Sequence, residues 1–352
     1  MDHDEEQPPI SLSEGVVDAE KAAAARKNLA AVAHLRALGV RSVGEVGWLA
    51  ADNVARPLRT LLTVRGADGR PRPFMPAGKL SMLIAPGGTG KTQTLVQVAV
   101  CVGSGLPLFD EYEVSDPGPV LLVLGEEDMD EMHRRVRGTV DAMPAWPHSA
   151  EIDENLHVLS LCGQPAGFTD KDGGRTPFFD QFYAGLEASG IQWRLIILDP
   201  ASRFLGPDAE KDNAAATRWI EVVERLTQLP SKPAVLFAHH TNKSAVGGGT
   251  DQTAARGSSA LTDGVRWQGN LERVVNEEGG SGNKVMSADR VTFKVVKVNH
   301  CRQPPPLELA RDFEHGGFLR PVAQAKPTAT PTAATASRPR GRDPRRELHD
   351  DV

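Results

Sequence analysis

At 352 residues with a formal net charge of −6, the chain is long enough for one large domain with appendages. It carries no global basic field, so any nucleic-acid site has to be a local groove or pore. Its three cysteines, Cys101, Cys162 and Cys301, stand far apart without CxxC spacing, which excludes a disulfide framework and a zinc site and suits a reducing cytoplasm; with no apolar run near the roughly 20 residues of a membrane span, a cytoplasmic protein without a membrane partner is expected.

Residues 1–15 are acidic and contain proline, the composition of a disordered leader and unlike a signal peptide. Over 17–38 the sequence is rich in alanine, and Ala22, Ala25, Leu29, Val32 and Leu35 fall near helical spacing before Gly39 stops the pattern. A second short helix is expected over 43–53. So small a segment buries too little to fold alone, so 16–56 is read as a helical appendage packed on the main domain or on a neighbouring subunit, with a flexible leader as the alternative.

The main domain is expected over 57–322, organised around residues 78–92. Leu80, Met82, Leu83 and Ile84 read as a buried strand that breaks into Pro86, Gly87, Gly88, Thr89 and Gly90, and then into Lys91 and Thr92 at the start of a helix with Leu95, Val98 and Val102 on its apolar face. Glycines at these positions let the backbone turn with its N–H groups inward, where they and the helix N-terminus hold a polyphosphate. Lys91 is placed to reach the β- and γ-phosphates and the Thr92 hydroxyl to ligate Mg²⁺. Ala85 occupies the place of the usual first glycine, so the match is to the relaxed form of the phosphate-loop motif.

A second run of β-formers, 119–124, ends in Glu126, Glu127 and Asp128. In an α/β sheet ligands bind at the carboxyl ends of the strands, so an acid here can orient or deprotonate the water that attacks a γ-phosphate. The bland alternative is a helix cap, and Asp128 suits that role for a helix through Met132, Val136 and Val140. A further strand over 156–161 and a helix over 178–188 precede the run 194–200, in which four apolar residues deliver Asp199, the Walker B pattern that supplies a carboxylate to the Mg²⁺ shell.

The polar loop 201–212 carries Arg203, and the helix over 213–229 puts Ala215, Trp219, Val222, Leu226 and Leu229 on one face, so Trp219 is a core residue without a functional role. The strand over 234–240 ends in His239 and His240. Either a γ-phosphate sensor or a core histidine fits His239, whereas His240, at the extreme end, is the better sensor. Residues 241–257 offer almost nothing to bury and are read as a mobile loop bearing Lys243 and Arg256. Two alternating segments, 265–274 and 289–299, form an antiparallel hairpin, with Lys297 and Asn299 ending its second strand, and further strands are expected near 307–309 and 317–322. The tail, 323–352, is rich in Pro and Thr and then in Arg, and is read as disordered; its basic cluster either touches DNA or merely solubilises.

Together these segments resemble the RecA-type ATPases, and specifically the RepA-type hexameric replicative helicases of broad-host-range plasmids. The likeness covers 73–322 and rests on Ala-Pro-Gly-Gly-Thr-Gly-Lys-Thr at 85–92, Glu-Glu-Asp at 126–128, Leu-Asp-Pro at 198–200 with Arg203 and Phe204, Phe-Ala-His-His at 237–240 and, most specifically, Ala-Arg-Gly-Ser-Ser-Ala-Leu-Thr-Asp-Gly-Val-Arg-Trp-Gln at 255–268. The resemblance implies a RecA-like core with a largely parallel sheet, flanking helices and a C-terminal antiparallel hairpin extension. It implies ATP and Mg²⁺ as cofactors, Glu127 as the catalytic carboxylate, Asp199 as the Walker B acid, His240 as the sensor and Arg256 as an arginine finger given to the neighbour's ATP, accompanied by Lys297. A homo-oligomeric ring, six-membered by family likeness, follows from that logic, with single-stranded DNA as partner and Arg203 and Lys243 as its candidate contacts. Nothing in the sequence resembles a primase or zinc domain, so priming is expected to be done by another protein, with a replication initiator or primase as the expected external partner. Two functions fit: a ring-shaped helicase or translocase replicating a plasmid, phage or other mobile element, and a nucleotide-gated switch or scaffold on the same fold.

Overall fold

A computed structural model describes residues 12–50, 52–241, 259–278 and 283–322. Residues up to Leu58 form one unit and those from Arg59 onward another. In the first unit, helix α1 (Leu12–Ala37) begins inside the stretch expected to be disordered and stops at Gly39, whose φ of +94° no other residue type adopts readily. Within this unit Leu29, Val32 and Leu35 stay exposed, because a single helix has no second layer to cover its apolar stripe. The second helix expected over 43–53 is a run of turns instead. Ser42 and Glu45 exchange the reciprocal bonds of a capping box, Glu45 N–H to Ser42 Oγ at 3.1 Å and Ser42 N–H to Glu45 Oε2 at 2.7 Å, but Gly44 and the left-handed Gly47 prevent propagation.

The second unit is a three-layer α/β domain. Its strands in chain order are β1 (Thr60–Arg65), β2 (Pro71–Pro76), β3 (Leu80–Ala85), β4 (Glu113–Val114), β5 (Val120–Leu124), β6 (Leu156–Ser160), β7 (Leu195–Asp199), β8 (Ala234–His240), β9 (Trp267–Glu278), β10 (Asn283–Val298), β11 (Leu307–Asp312) and β12 (Phe318–Pro321). Among the described residues nine of these make one sheet in the order β12-β11-β10-β9-β3-β8-β7-β5-β6. From β9 to β6 the neighbours are parallel, and β10, β11 and β12 add antiparallel strands at one edge. β3, β5 and β7 are buried on both faces, which is why they read as continuous apolar runs. The expected hairpin is therefore β9 and β10, and β9 joins it to the phosphate-loop strand.

Helices α2 (Lys91–Ser104), α3 (Met129–Ala142) and α4 (Ser149–Asn155) cover one face, where Val96 and Ala99 pack with Leu236, Ala238, Leu195 and Ile197. Helices α5 (Pro177–Ala188), α6 (Asn213–Glu224) and α7 (Ser259–Gly264) cover the other, with Phe179 and Trp219 against Ile196, Leu198 and Phe237. Trp219 is fully buried and donates its indole N–H to Phe204 O at 2.8 Å, so it is a core residue that also pins the loop after β7. A small antiparallel sheet, β2-β1-β4, lies on the α2 side, where Phe74 stacks on Tyr112 with ring centres 4.2 Å apart and meets the edge of Trp267. Pattern reading passes over β1 and β2, because β2 contains Pro71, Pro73 and Pro76; at the edge of the small sheet a proline costs no ladder bond that a neighbour needs.

Candidate nucleotide site

The phosphate loop leaves β3, the central strand of the nine-stranded sheet. Gly88 and Gly90 have φ of +71° and +96°, and Thr89 turns its hydroxyl back onto Pro86 O. Gly90 is the residue before α2 and offers no side-chain cap, so the first N–H groups of this helix have no side-chain acceptor and are open to an anion. Lys91 and Thr92 then converge on one carboxylate. Lys91 Nζ is hydrogen-bonded to Asp199 Oδ1, and Thr92 Oγ1 donates to Asp199 Oδ2 at 2.6 Å. The topology dictates this meeting: Asp199 follows Leu195 and Ile197 at period two, so it faces α2 from the end of β7, two strands from β3.

Asp199 has 1% of its side chain exposed and Lys91 10%. A buried carboxylate beside a hydroxyl, with an ammonium that can move to phosphate, is a hard-oxygen donor set for a small divalent cation. Mg²⁺ usually keeps waters and substrate oxygens in its shell, so one carboxylate and one hydroxyl suffice; among the described residues no cluster of three or more His, Cys, Asp or Glu forms a self-sufficient metal cage. Thr92 and Asp199 therefore fit the expected Mg²⁺ role.

The three acids after β5 separate by environment. Asp128 caps α3, accepting from the Glu131 N–H at 2.8 Å, so the helix-cap reading holds for it. Glu126 points to solvent and pairs with Arg203 at 3.2 Å. Glu127 is the most enclosed: its carboxyl is held above the usual carboxylate range by burial first and by the nearby Asp199 charge second, opposed by Arg135 and Lys91. Its backbone is fixed by Ser160 Oγ, which donates to Glu127 O at 2.7 Å, and its carboxylate lies 3.9 Å from the Arg135 guanidinium, which is itself paired with Glu131 at 3.0 Å. A part-buried carboxylate with a raised pKa beside Asp199 is the group chemically suited to accept a proton from water.

His239 and His240 take opposite faces. His239 follows Val235 and Phe237 toward α6 and is 1% exposed; His240 follows Leu236 and Ala238 toward α2, opposite Ala85 at the mouth of the phosphate loop. Lys297 is engaged in its own chain, donating to Thr262 O at 2.8 Å and Asp263 O at 3.3 Å, the last carbonyls of α7; burial, more than any charge, lowers its pKa. Arg203 lays its stem over Gly125, where an added Cβ would stand 2.5 Å from Arg203 Cγ. Lys243 and Arg256 lie outside the described residues.

Sequence reasoning missed three cations around the loop: Arg135, Arg273 and Arg311. Arg311 Nη1 donates to Gly88 O at 2.9 Å, and Arg273 Nη2 approaches the same carbonyl at 3.3 Å. The available signal was parity. Arg273 continues the inward set Trp267 and Leu271, and Arg311 continues Leu307 and Leu309, so each is a charge on the core-facing side of an alternating strand.

Among the described residues no helix is long and apolar enough to cross a membrane. A family model described as an AAA domain matches residues 65–246, about half of the chain and the span from β1 to just past His240. With the phosphate loop, the buried Asp199 and the enclosed Glu127 all inside that span or at its strand ends, the chain belongs to this AAA-domain family of P-loop ATPases.

Proposed function

We propose that this ATPase is the motor of a ring-shaped DNA helicase or translocase that acts in replication of a plasmid, phage or other mobile element. The observation that carries the reading is where β7 and β8 end: each strand end bears a candidate ATP-site residue, Asp199 or His240, so in this reading a change at the γ-phosphate passes into the stretch of sequence that follows, which carries Arg203 or Lys243 for single-stranded DNA.

In the hydrolytic step, the backbone N–H groups of the loop and Lys91 bind the phosphates, with the Lys91 ammonium leaving Asp199 for them. Thr92 and Asp199 would hold Mg²⁺, which would supply positive charge to offset the charge of the polyphosphate. Glu127 orients the attacking water and accepts its proton, and His240 reports the γ-phosphate at the end of β8. Arg256 completes the site from the adjacent subunit, which makes a homo-oligomeric ring, taken as a hexamer, the active form. Lys297 accompanies Arg256 in this reading, held in its own chain by Thr262 O and Asp263 O of α7. Single-stranded DNA is the channel ligand, and a replication initiator or primase is the external partner.

One observation favours a second reading, a nucleotide-gated switch without unwinding: Arg203, a candidate DNA contact, pairs with Glu126 in its own chain. ATPase activity measured with and without single-stranded DNA, beside unwinding of a forked duplex, separates the two. Stimulation with unwinding supports the motor; ATP turnover indifferent to DNA and no unwinding supports the switch.

A further inference from the structure

The carbonyl side of the phosphate loop is gripped by arginines from strands that lie beyond the family-matched span. Arg311, on β11, donates through Nη1 to Gly88 O at 2.9 Å. Arg273, on β9, places Nη2 3.3 Å from Gly88 O and 3.5 Å from Gly87 O. The φ of +71° favours glycine at 88, and a Cβ there would stand 3.0 Å from the Arg273 guanidinium, which would have to shift by a few tenths of an ångström.

A planar trans peptide points its N–H opposite to its C=O. The carbonyl of Gly87 shares its peptide with the Gly88 N–H, and the carbonyl of Gly88 shares its peptide with the Thr89 N–H. Holding these two carbonyls on the arginines therefore turns the Gly88 and Thr89 N–H groups away from the arginines, into the concavity of the loop. Among the described residues neither N–H donates to a backbone carbonyl. Arg311 is itself short of negative charge. Arg311 Nε is buried without an acceptor among the described residues, and the positive neighbours of Arg311 are Arg273 and Arg135, with Asp289 the nearby acid.

We propose that Arg273 and Arg311 are positioning residues for nucleotide binding: they fix the peptides of Gly87 and Gly88 with their N–H groups toward the phosphates and add positive charge beside them, so the antiparallel C-terminal strands supply part of the affinity for the polyphosphate. This rests on the nucleotide-binding role of the phosphate loop and not on the motor reading.

The test is calorimetric titration of the full chain with ATP and, separately, with inorganic pyrophosphate, together with steady-state ATPase kinetics. Charge-assisted hydrogen bonds predict that Arg311→Ala weakens ATP and pyrophosphate by the same factor, about tenfold, with KM rising and kcat changing much less. Arg273→Gln should act in the same direction but more weakly, and Arg311→Lys should restore part of the loss. Thermal melting of each variant identifies any that fail to fold, and Arg311→Lys and Arg273→Gln, which keep a long polar side chain, carry the test if Arg311→Ala does not. Unchanged affinity for both probes in the doubly substituted Arg273→Gln, Arg311→Lys protein overturns the proposal, as does a loss confined to ATP, which would put the arginines on the nucleoside. Failure of the unsubstituted chain to bind either probe would instead overturn the phosphate-loop reading itself.

Discussion

Thr92 Oγ1 lies 2.6 Å from Asp199 Oδ2, and Lys91 is bonded to the other oxygen of the same carboxylate. One buried acid thus holds both functional side chains of the phosphate loop before any ligand enters. The arrangement lowers the cost of burying the Asp199 carboxylate and keeps the two side chains at the mouth of the loop.

Lys91→Ala should therefore do two things. It should abolish nucleotide binding, because the phosphates lose their ammonium partner. It should also lower stability by roughly 3 kcal/mol near neutral pH, because Asp199 is left buried with only a hydroxyl to answer its charge. Urea denaturation gives the second effect independently of the first, and adding Asp199→Asn should recover part of it. Equal stability of Lys91→Ala and the unsubstituted chain would mean that water reaches Asp199 freely.

Glu127→Gln should retain ATP binding and reduce turnover by roughly 10² to 10⁴, the usual size of a lost general base. Because burial raises the Glu127 pKa in the free protein, a base at this position is a carboxylate only above a pH higher than an ordinary glutamate requires, and the acid limb of the kcat/KM profile should be displaced upward accordingly. The same shift has a stability sign. A carboxyl whose folded pKa is raised stabilises the fold below its unfolded pKa, and this is lost as pH rises through the folded value. Glu127→Gln removes that loss, so the variant should be the more stable of the two at neutral pH, with the gap closing in acid. A variant less stable than the parent at neutral pH would contradict the burial argument.

Gln97 makes a paired bond with the backbone of β12, donating from Nε2 to Leu319 O and accepting at Oε1 from the Leu319 N–H, both at 3.0 Å. It ties the phosphate-loop helix to the far edge strand. Gln97→Leu leaves a buried carbonyl and a buried N–H without partners, which should cost about 2 to 4 kcal/mol in denaturant unfolding. A loss under 0.5 kcal/mol would indicate that β12 separates from α2 in solution.

These elements differ in how far the sequence revealed them. The parallel strands were legible because burial on both faces leaves apolar runs at β3, β5 and β7, the last of them ending in Asp199. The Asp128 cap and the Trp219 stripe were legible because capping and helical periodicity are local. β2 was hidden by its prolines, and 43–53 forms turns and not the expected helix because Gly44 and the left-handed Gly47 interrupt it. The bonds of Arg273 and Arg311 to the phosphate loop span 185 and 223 residues, and the engagement of Lys297 by α7 depends on tertiary packing. No spacing rule encodes such distances.

The motor reading depends most on Lys243, in the loop after β8, and on Arg203, in the loop after β7. Arg203 is half-exposed and paired with Glu126 at 3.2 Å, an exposed pair of the kind worth little in water, so a DNA phosphate can compete for its guanidinium at small cost. Phe204, the one aromatic beside it, is fully buried, which leaves phosphate contact over base stacking and hence little sequence preference. Lys243→Ala should weaken single-strand binding, flatten its salt dependence by about one unit of slope and reduce DNA-stimulated ATPase while basal ATPase persists. Arg203→Ala should reduce the slope as well, and because it also frees Glu126 beside Glu127 it should disturb basal turnover, which separates the two residues in one experiment. If the double variant binds single-stranded DNA with unchanged affinity, salt slope and stimulation, the two loops do not form a channel, and the nucleotide-gated switch becomes the better account of this ATPase.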